Sequence, residues 1–233
     1  MKQYDAAIIG AGVTGCAIAR ELSRRQGSFL VVERALDVCE GTSKANSAIV
    51  HAGFDALPGS LKAKMNVEGS RMMDQIAKEL DVPFRRIGAL VVCLDPAGLP
   101  QLEALYQRGI ENGVEGLSLL TGEEARALEP NLTDAVCGAL LANTSGVVCP
   151  FELTLGLAEN AAHNGVEFRF DTEVTSLEAV PEGWLLKTNG EDILARAVVN
   201  AAGVHGAWLH NMVCEKKLNI IPRKGEYCLL DKT

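Results

Sequence analysis

The sequence predicts an α/β fold, and three observations near its start carry that prediction. An apolar run, Tyr4 to Ile9, leads directly into the glycine fingerprint GAGVTG, with Gly10, Gly12 and Gly15 in G-x-G-x-x-G spacing. A helical stretch follows from Val13 to about Arg25, with Ala17, Ile18, Ala19 and Leu22 on its core-facing stripe. A second apolar run, FLVVE, then ends on the acid Glu33. Strand, tight turn, helix, strand and carboxylate, in that order, form the context a dinucleotide site demands. The chain is therefore read as α/β, opening with a Rossmann-like unit.

Each part of that unit has a physical job. Gly10 permits the sharp turn, Gly12 removes a side chain where backbone must approach pyrophosphate, and Gly15 lets helix and strand pack closely. The helix presents unpaired N–H groups and the positive end of its dipole to phosphate. Gly27 ends it. Glu33 is placed to accept hydrogen bonds from ribose hydroxyls.

Beyond Glu33 the chain turns polar and small, ERALDVCEGTSKANSAIVHAGF, a long loop for a compact domain. It carries Thr42, Ser43, Asn46, Ser47 and His51, hydrogen-bonding groups set where backbone can approach a ligand. Taken alone, it also fits a solvated loop whose Ser and Asn cap the next helix. That helix spans Gly59 to Leu80, with Ser60 as N-cap and Leu61, Met65, Met72, Ile76 and Leu80 as its apolar stripe, the methionines serving as core filler. FRRIGALVVCL reads as strands and DPAGLPQLEALYQRGIENG contains a helix. TGEEARALEP carries a second helix, where Thr121 and Glu124 complete a capping box. ALLANTSGVVCP returns to strand around a turn at 143–146. This block, 82–146, reads as a separate lobe.

A helix over 150–164 follows, then four strand-like runs, VEFRF, TEVTSLEAV, GWLLKTN and EDILARAVVNAAG. Three of them alternate around turns such as Asn189-Gly190, the pattern of an antiparallel meander. The last run ends in small residues, so backbone from Ala201 to Gly203 can lie against a ligand. A short helix over 205–213 and a final strand around LNIIPRKGEYCLLDKT close the chain. No internal repeat or low-complexity tract is present.

Composition narrows the function. The chain has 233 residues, 48% apolar and 22% charged, with a formal charge of -8. These values suit a globular enzyme domain. The acidity and the lack of any basic block argue against nucleic acid or an anionic membrane as partner. No stretch approaches a membrane span. A first strand entered within four residues leaves no room for a signal peptide, so a cytoplasmic location is expected. The seven cysteines, 16, 39, 93, 137, 149, 214 and 228, include no C-x-x-C pair. Most sit in apolar company, as expected of reduced thiols, and no metal site is expected from them.

Beyond these local readings, the segments GAGVTG, the acid Glu33, NSAIVHAGF, LKAKMNVEGSRMM, VVNAAGV and PRKGEY occur in this order in certain flavoenzymes. Over all 233 residues the chain resembles the N-terminal part of FAD-dependent oxidoreductases of the D-amino-acid oxidase superfamily. Within it, the resemblance is strongest to the anaerobic-type glycerol-3-phosphate dehydrogenases and the L-2-hydroxyglutarate dehydrogenases. GAGVTG is generic, whereas NSAIVHAGF together with PRKGEY is specific. The resemblance implies a discontinuous FAD-binding domain, 1–81 with 147–215, interleaved with a partial α+β substrate domain, 82–146 with 216–233.

It further implies that Gly10, Gly12 and Gly15 surround the pyrophosphate of FAD and that Glu33 holds the adenosine ribose. Thr42, Ser43, Asn46 and Ser47 would line the flavin's phosphate and ring. Val174 would read adenine through its backbone, and Ala202 and Gly203 would close over the dinucleotide. His51 resembles a histidine placed near the flavin ring, where imidazole can take a hydroxyl proton while hydride leaves for the flavin. The alternative is a histidine that only orients its loop. Arg223, with Lys224 beside it, suits a phosphate or carboxylate substrate; a solvated surface charge is the alternative. His205, Trp208 and His210 are read as packing and surface residues.

Family members continue well past the PRKGEY strand, so the chain reads as truncated at its C-terminus. An unpaired sheet edge is then expected there, favouring self-association. Three functional readings stay open: oxidation of the alcohol carbon of a small anionic substrate such as glycerol 3-phosphate or L-2-hydroxyglutarate, oxidation of an amine or amino acid, or a non-catalytic dinucleotide-binding fragment.

Overall fold

The computed structural model describes residues 2–226 and 228. In chain order the elements begin β1 (Gln3–Ile9), α1 (Val13–Leu22), β2 (Phe29–Val32), β3 (Ile49–Val50), α2 (Leu61–Glu79) and β4 (Phe84–Arg86). There follow β5 (Leu90–Cys93), α3 (Leu99–Glu111), β6 (Leu117–Thr121), α4 (Gly122–Leu128), β7 (Gly138–Ala142) and β8 (Gly146–Val148). The chain continues with α5 (Pro150–His163), β9 (Glu167–Arg169), β10 (Val174–Val180), β11 (Gly183–Thr188), β12 (Ile193–Asn200) and α6 (Gly206–Val213). Contacts divide these into two compact units, one of 1–47 with 150–233 and one of 48–149.

The first unit is built on a six-stranded sheet in the order β10-β11-β12-β1-β2-β9. β1 pairs in parallel with β12 and with β2, and β2 with β9. β10, β11 and β12 form the antiparallel meander that the turn residues foretell. β1 and β2 read as continuous apolar runs because they are central strands covered on both faces; Ala7, Ile8, Leu30 and Val31 are fully buried. Tyr4, Ile9, Leu30, Val32, Leu186 and Ile193 belong to one buried cluster that forms the core of this sheet. α1 and α5 pack together, and the buried Arg20 on α1 reaches Asn160 Oδ1 on α5 at 3.2 Å.

At the start of β1 the buried Tyr4 anchors an ionic cluster. Its hydroxyl donates to Glu167 Oε2 at 2.6 Å and accepts from Arg169 at 2.8 Å, while Lys2 Nζ lies 2.8 Å from the same carboxylate. Burial pushes the Glu167 carboxyl upward, but the hydrogen bonds from Lys2, Tyr4 and Arg169 prevail and hold it at about 2.

The second unit holds two small antiparallel sheets, β3-β8-β4 and β5-β7-β6. Phe54, Val67, Leu102, Val114 and Leu140 form one core cluster, and Ala125, Val136 and Ala139 another. The capping box is present as expected, with Glu124 N–H donating to Thr121 Oγ1 at 3.2 Å and Glu124 Oε2 accepting from Thr121 N–H at 2.8 Å. Arg86 rivets α2 to the β-structure: it donates to Ser70 O at 2.5 Å, to Asp74 Oδ2 at 2.6 and 3.0 Å, and to Thr144 O.

Three readings need correction. α1 ends at Leu22 rather than near Arg25, and Ser23 caps it with its N–H on Ala19 O. On α2, Leu61, Met65 and Met72 are at least half exposed; the buried face is instead Ala63, Val67, Ser70 and Ala77. Both stripes have helical spacing, but the smaller residues allow closer approach, and Ser70 is the residue Arg86 holds. Finally, residues 218–226 form no strand and run as irregular, exposed chain. Leu218 finds side-chain partners, its N–H and C=O both bonding Asn211, rather than a neighbouring strand. The expected sheet edge near Leu230 lies outside the described residues.

Candidate dinucleotide site

Because β1 is parallel to both neighbours, the carboxyl ends of β12, β1 and β2 open on one edge of the sheet. Ligands of open α/β sheets bind in the crevice at such an edge. Here it is a cavity of about 880 Å³, formed wholly by the first unit.

The glycine turn forms its floor. Gly10 has φ +107°, and a Cβ there would stand 2.6 Å from Ala201 O. A Cβ on Gly15 would lie 1.9 Å from Gly10 O, so only glycine lets α1 sit this close behind the turn. Gly12 differs: its φ is -74°, and a Cβ would meet only Ser43 Oγ, at 3.1 Å. The open space above Gly12 is the space a phosphate group needs. No Gly12 side chain exists to cap α1; Ser43 reaches over from the loop and accepts the Val13 N–H at 2.9 Å.

Glu33, at the end of β2, accepts the Ala11 N–H on Oε2 at 2.8 Å and the Ala35 N–H on Oε1 at 2.9 Å. These bonds fix the carboxylate at the cavity wall. Each oxygen has two lone pairs, so one remains on each for a hydroxyl donor. The loop beyond is folded back by the Cys39 N–H on Ala11 O at 3.0 Å, with Cys39 in the left-handed region at φ +67°. Asn46 Nδ2 donates to Ser43 O at 2.8 Å and holds a short 3-10 turn, Thr42–Lys44, in shape. Opposite, the Thr172 N–H donates to Glu33 O at 2.9 Å and brings Val174 to the wall. Ala202, Gly203 and α6 close the remaining side.

The structure thus brings Gly10, Gly12, Glu33, Thr42, Ser43, Asn46, Val174, Ala202 and Gly203 around one cavity. Gly15 stands behind the turn, and Ser47 follows Asn46 without lining the wall. His51 belongs to the second unit, is exposed, and its carbonyl accepts from Asn66 Nδ2 at 3.1 Å. Arg223 is exposed in the irregular stretch and does not line the cavity, and Lys224 pairs with Glu226 at 2.8 Å.

His205 and Trp208, read as packing and surface residues, are both exposed, and both also line the cavity, which that reading did not foresee. Arg34 was also missed, although its place beside Glu33 was a signal. Its guanidinium lies 3.0 Å from His205 Nε2. Below the turn, burial, followed by Cys39 and Glu33, pushes the Cys16 thiol up to about 12, which leaves it inert. Among the described residues no cluster of His, Cys, Asp or Glu is arranged for a metal ion, and no helix is long and apolar enough to cross a membrane.

Residues 5–233 match the family described as FAD dependent oxidoreductase, DAO. The chain is 46% identical over 230 residues to a glycerol 3-phosphate dehydrogenase of Caloramator mitchellensis, covering 99% of this chain and 48% of that protein. Its fold matches that of the dithionite-reduced L-alpha-glycerophosphate oxidase of Mycoplasma pneumoniae with FAD bound, with a TM-score of 0.84 and 32% identity over 91% of this chain and 57% of that one. It also matches glycine oxidase of Geobacillus kaustophilus, with a TM-score of 0.85 and 29% identity over 91% and 59% of the two chains. The chain thus spans about half to three-fifths of the length of these relatives.

Proposed function

The chain belongs to the DAO family of FAD-dependent oxidoreductases, and from that premise we propose that its cavity holds FAD for the oxidation of an alcohol carbon on a small anionic substrate such as glycerol 3-phosphate. The observation that carries the cofactor is the space above Gly12, bounded by the start of α1 on one side and the anchored Glu33 on the other. The 46% identity to a glycerol 3-phosphate dehydrogenase favours that substrate over L-2-hydroxyglutarate or an amino acid.

FAD, when bound, would supply the electron acceptor for a hydride from the substrate carbon. The chain's own residues do the rest. Gly10 and Gly12 let backbone N–H groups approach the pyrophosphate, and the α1 dipole favours its charge. Glu33 accepts the ribose hydroxyls. Thr42, Ser43 and Asn46 extend the wall toward the flavin end, Val174 meets the adenine through its backbone, and Ala202 and Gly203 close over the dinucleotide. By the family resemblance, His51 would take the substrate hydroxyl proton and Arg223 would pair with the substrate's anionic group. In this reading 1–81 with 147–215 serve the cofactor and 82–146 with 216–233 serve the substrate.

A visible absorption spectrum of the purified chain, before and after adding FAD and desalting, tests the cofactor. Retained flavin bands are expected, and a folded but colourless protein overturns FAD binding by this chain. Anaerobic bleaching by glycerol 3-phosphate, but not by L-2-hydroxyglutarate or glycine, is the expected substrate result. Bleaching by glycine alone would assign the chain to amine oxidation.

A further inference from the structure

The second unit carries a pair of thiols that the proposed function does not use. Cys93 ends β5 and Cys137 stands one residue before β7, its antiparallel neighbour. The Cys137 N–H donates to Cys93 O at 2.9 Å, and Cys137 Sγ lies 3.2 Å from the same oxygen. Cys93 pairs in register with Gly138, so Cys137 is its diagonal neighbour, and with standard backbone dimensions the 2.9 Å bond limits the two Cα atoms to less than about 7 Å apart. That lies within the span a disulfide needs.

A glycine makes room for the Cys93 sulfur. A Cβ on Gly98 would stand 2.8 Å from Cys93 Sγ, so a side chain there would press on this sulfur. Both cysteines are partly exposed, unlike the buried Cys16 and Cys39. Burial, followed by a hydrogen bond with Cys93, raises the Cys137 thiol above its ordinary value.

We propose that Cys93 and Cys137 form a dithiol site that a hydroperoxide converts to an intramolecular disulfide. Cys93 Sγ attacks one peroxide oxygen, the O–O bond breaks, and an alcohol or water departs with the proton of the thiol. Sulfur is oxidised to a sulfenic acid and the peroxide is reduced. Cys137, held protonated, is the resolving thiol: its Sγ displaces hydroxide from the Cys93 sulfur, and its proton leaves with that hydroxide as water. Two thiols and one hydroperoxide thus give one disulfide, one alcohol and one water. The new bond would close a loop of α3, β6 and α4, with the two ends 44 positions apart.

The full chain is treated with hydrogen peroxide, blocked with an alkylating agent and digested without reductant for peptide mass mapping. A Cys93–Cys137 linked peptide from the monomer is expected, with a loss of about 2 Da per chain that reductant reverses. The unfolding midpoint of the second unit should rise by roughly 5–10 °C on oxidation. C93S and C137S should each abolish the linked peptide, and C228S should leave it. If both cysteines are recovered separately alkylated, or only in links between chains, the proposal is overturned. The mapping on the unsubstituted chain decides this even where a variant folds poorly.

Discussion

Gly12→Ala is expected to spare the fold and remove the ligand from the cavity. Gly12 has φ -74°, which alanine adopts freely, and its added Cβ would meet only Ser43 Oγ at 3.1 Å. A shift of a few tenths of an ångström in that side chain relieves the contact. Alanine is a poorer N-cap than glycine, so the stability cost is about 1 kcal/mol. The methyl group, however, stands where a phosphate must meet the backbone. Losing one or two charge-assisted N–H contacts costs about 1.5–3 kcal/mol each. Affinity for FAD should therefore fall by about a hundredfold. Flavin fluorescence titration against the parent chain measures the affinity, and urea unfolding followed by circular dichroism measures the stability. Unchanged FAD affinity in a folded Gly12→Ala chain would refute the placement of the pyrophosphate over this turn. Unfolding by several kcal/mol would refute the claim that Gly12 serves the ligand and not the fold.

Gly15→Ala should do the reverse. Its Cβ would lie 1.9 Å from a backbone oxygen that no rotamer change can move, so a loss of about 2–3 kcal/mol is expected in urea unfolding. Arg86→Ala leaves Asp74 and the carbonyls of Ser70 and Thr144 without their donor; a loss of about 2–4 kcal/mol is expected, read as earlier melting of the second unit. Acid should weaken the first unit through Glu167. Its folded carboxyl sits at about 2 against an unfolded value near 4.5, so its contribution is complete above that unfolded value and is lost as pH falls toward 2. With its side chain 35% exposed, solvent screening reduces this to about 1 kcal/mol. Glu167→Gln should flatten unfolding midpoints between these pH values; an unchanged pH profile would contradict it.

Much of this molecule was legible because its signals are local. The fingerprint, the buried runs of β1 and β2, the Thr121–Glu124 box and the Ser60 cap all act within one or two turns of chain, where steric and hydrogen-bonding rules decide. The cavity wall was legible in part for the same reason: Gly10, Gly12 and Glu33 belong to a single βαβ unit. What depends on distant partners was not. The face α2 buries was chosen by close packing and by Arg86, not by the larger apolar residues. His205 and Trp208 reach the cavity only because β12 lies parallel to β1 and delivers α6 to the same edge. The Cys93–Cys137 pair exists only through the register of β5 and β7. Sequence alone determined the elements and the dinucleotide turn, because these follow from neighbours along the chain. Tertiary structure decided which faces are buried and which side chains share a wall, because strand pairing brings together residues that the chain keeps far apart.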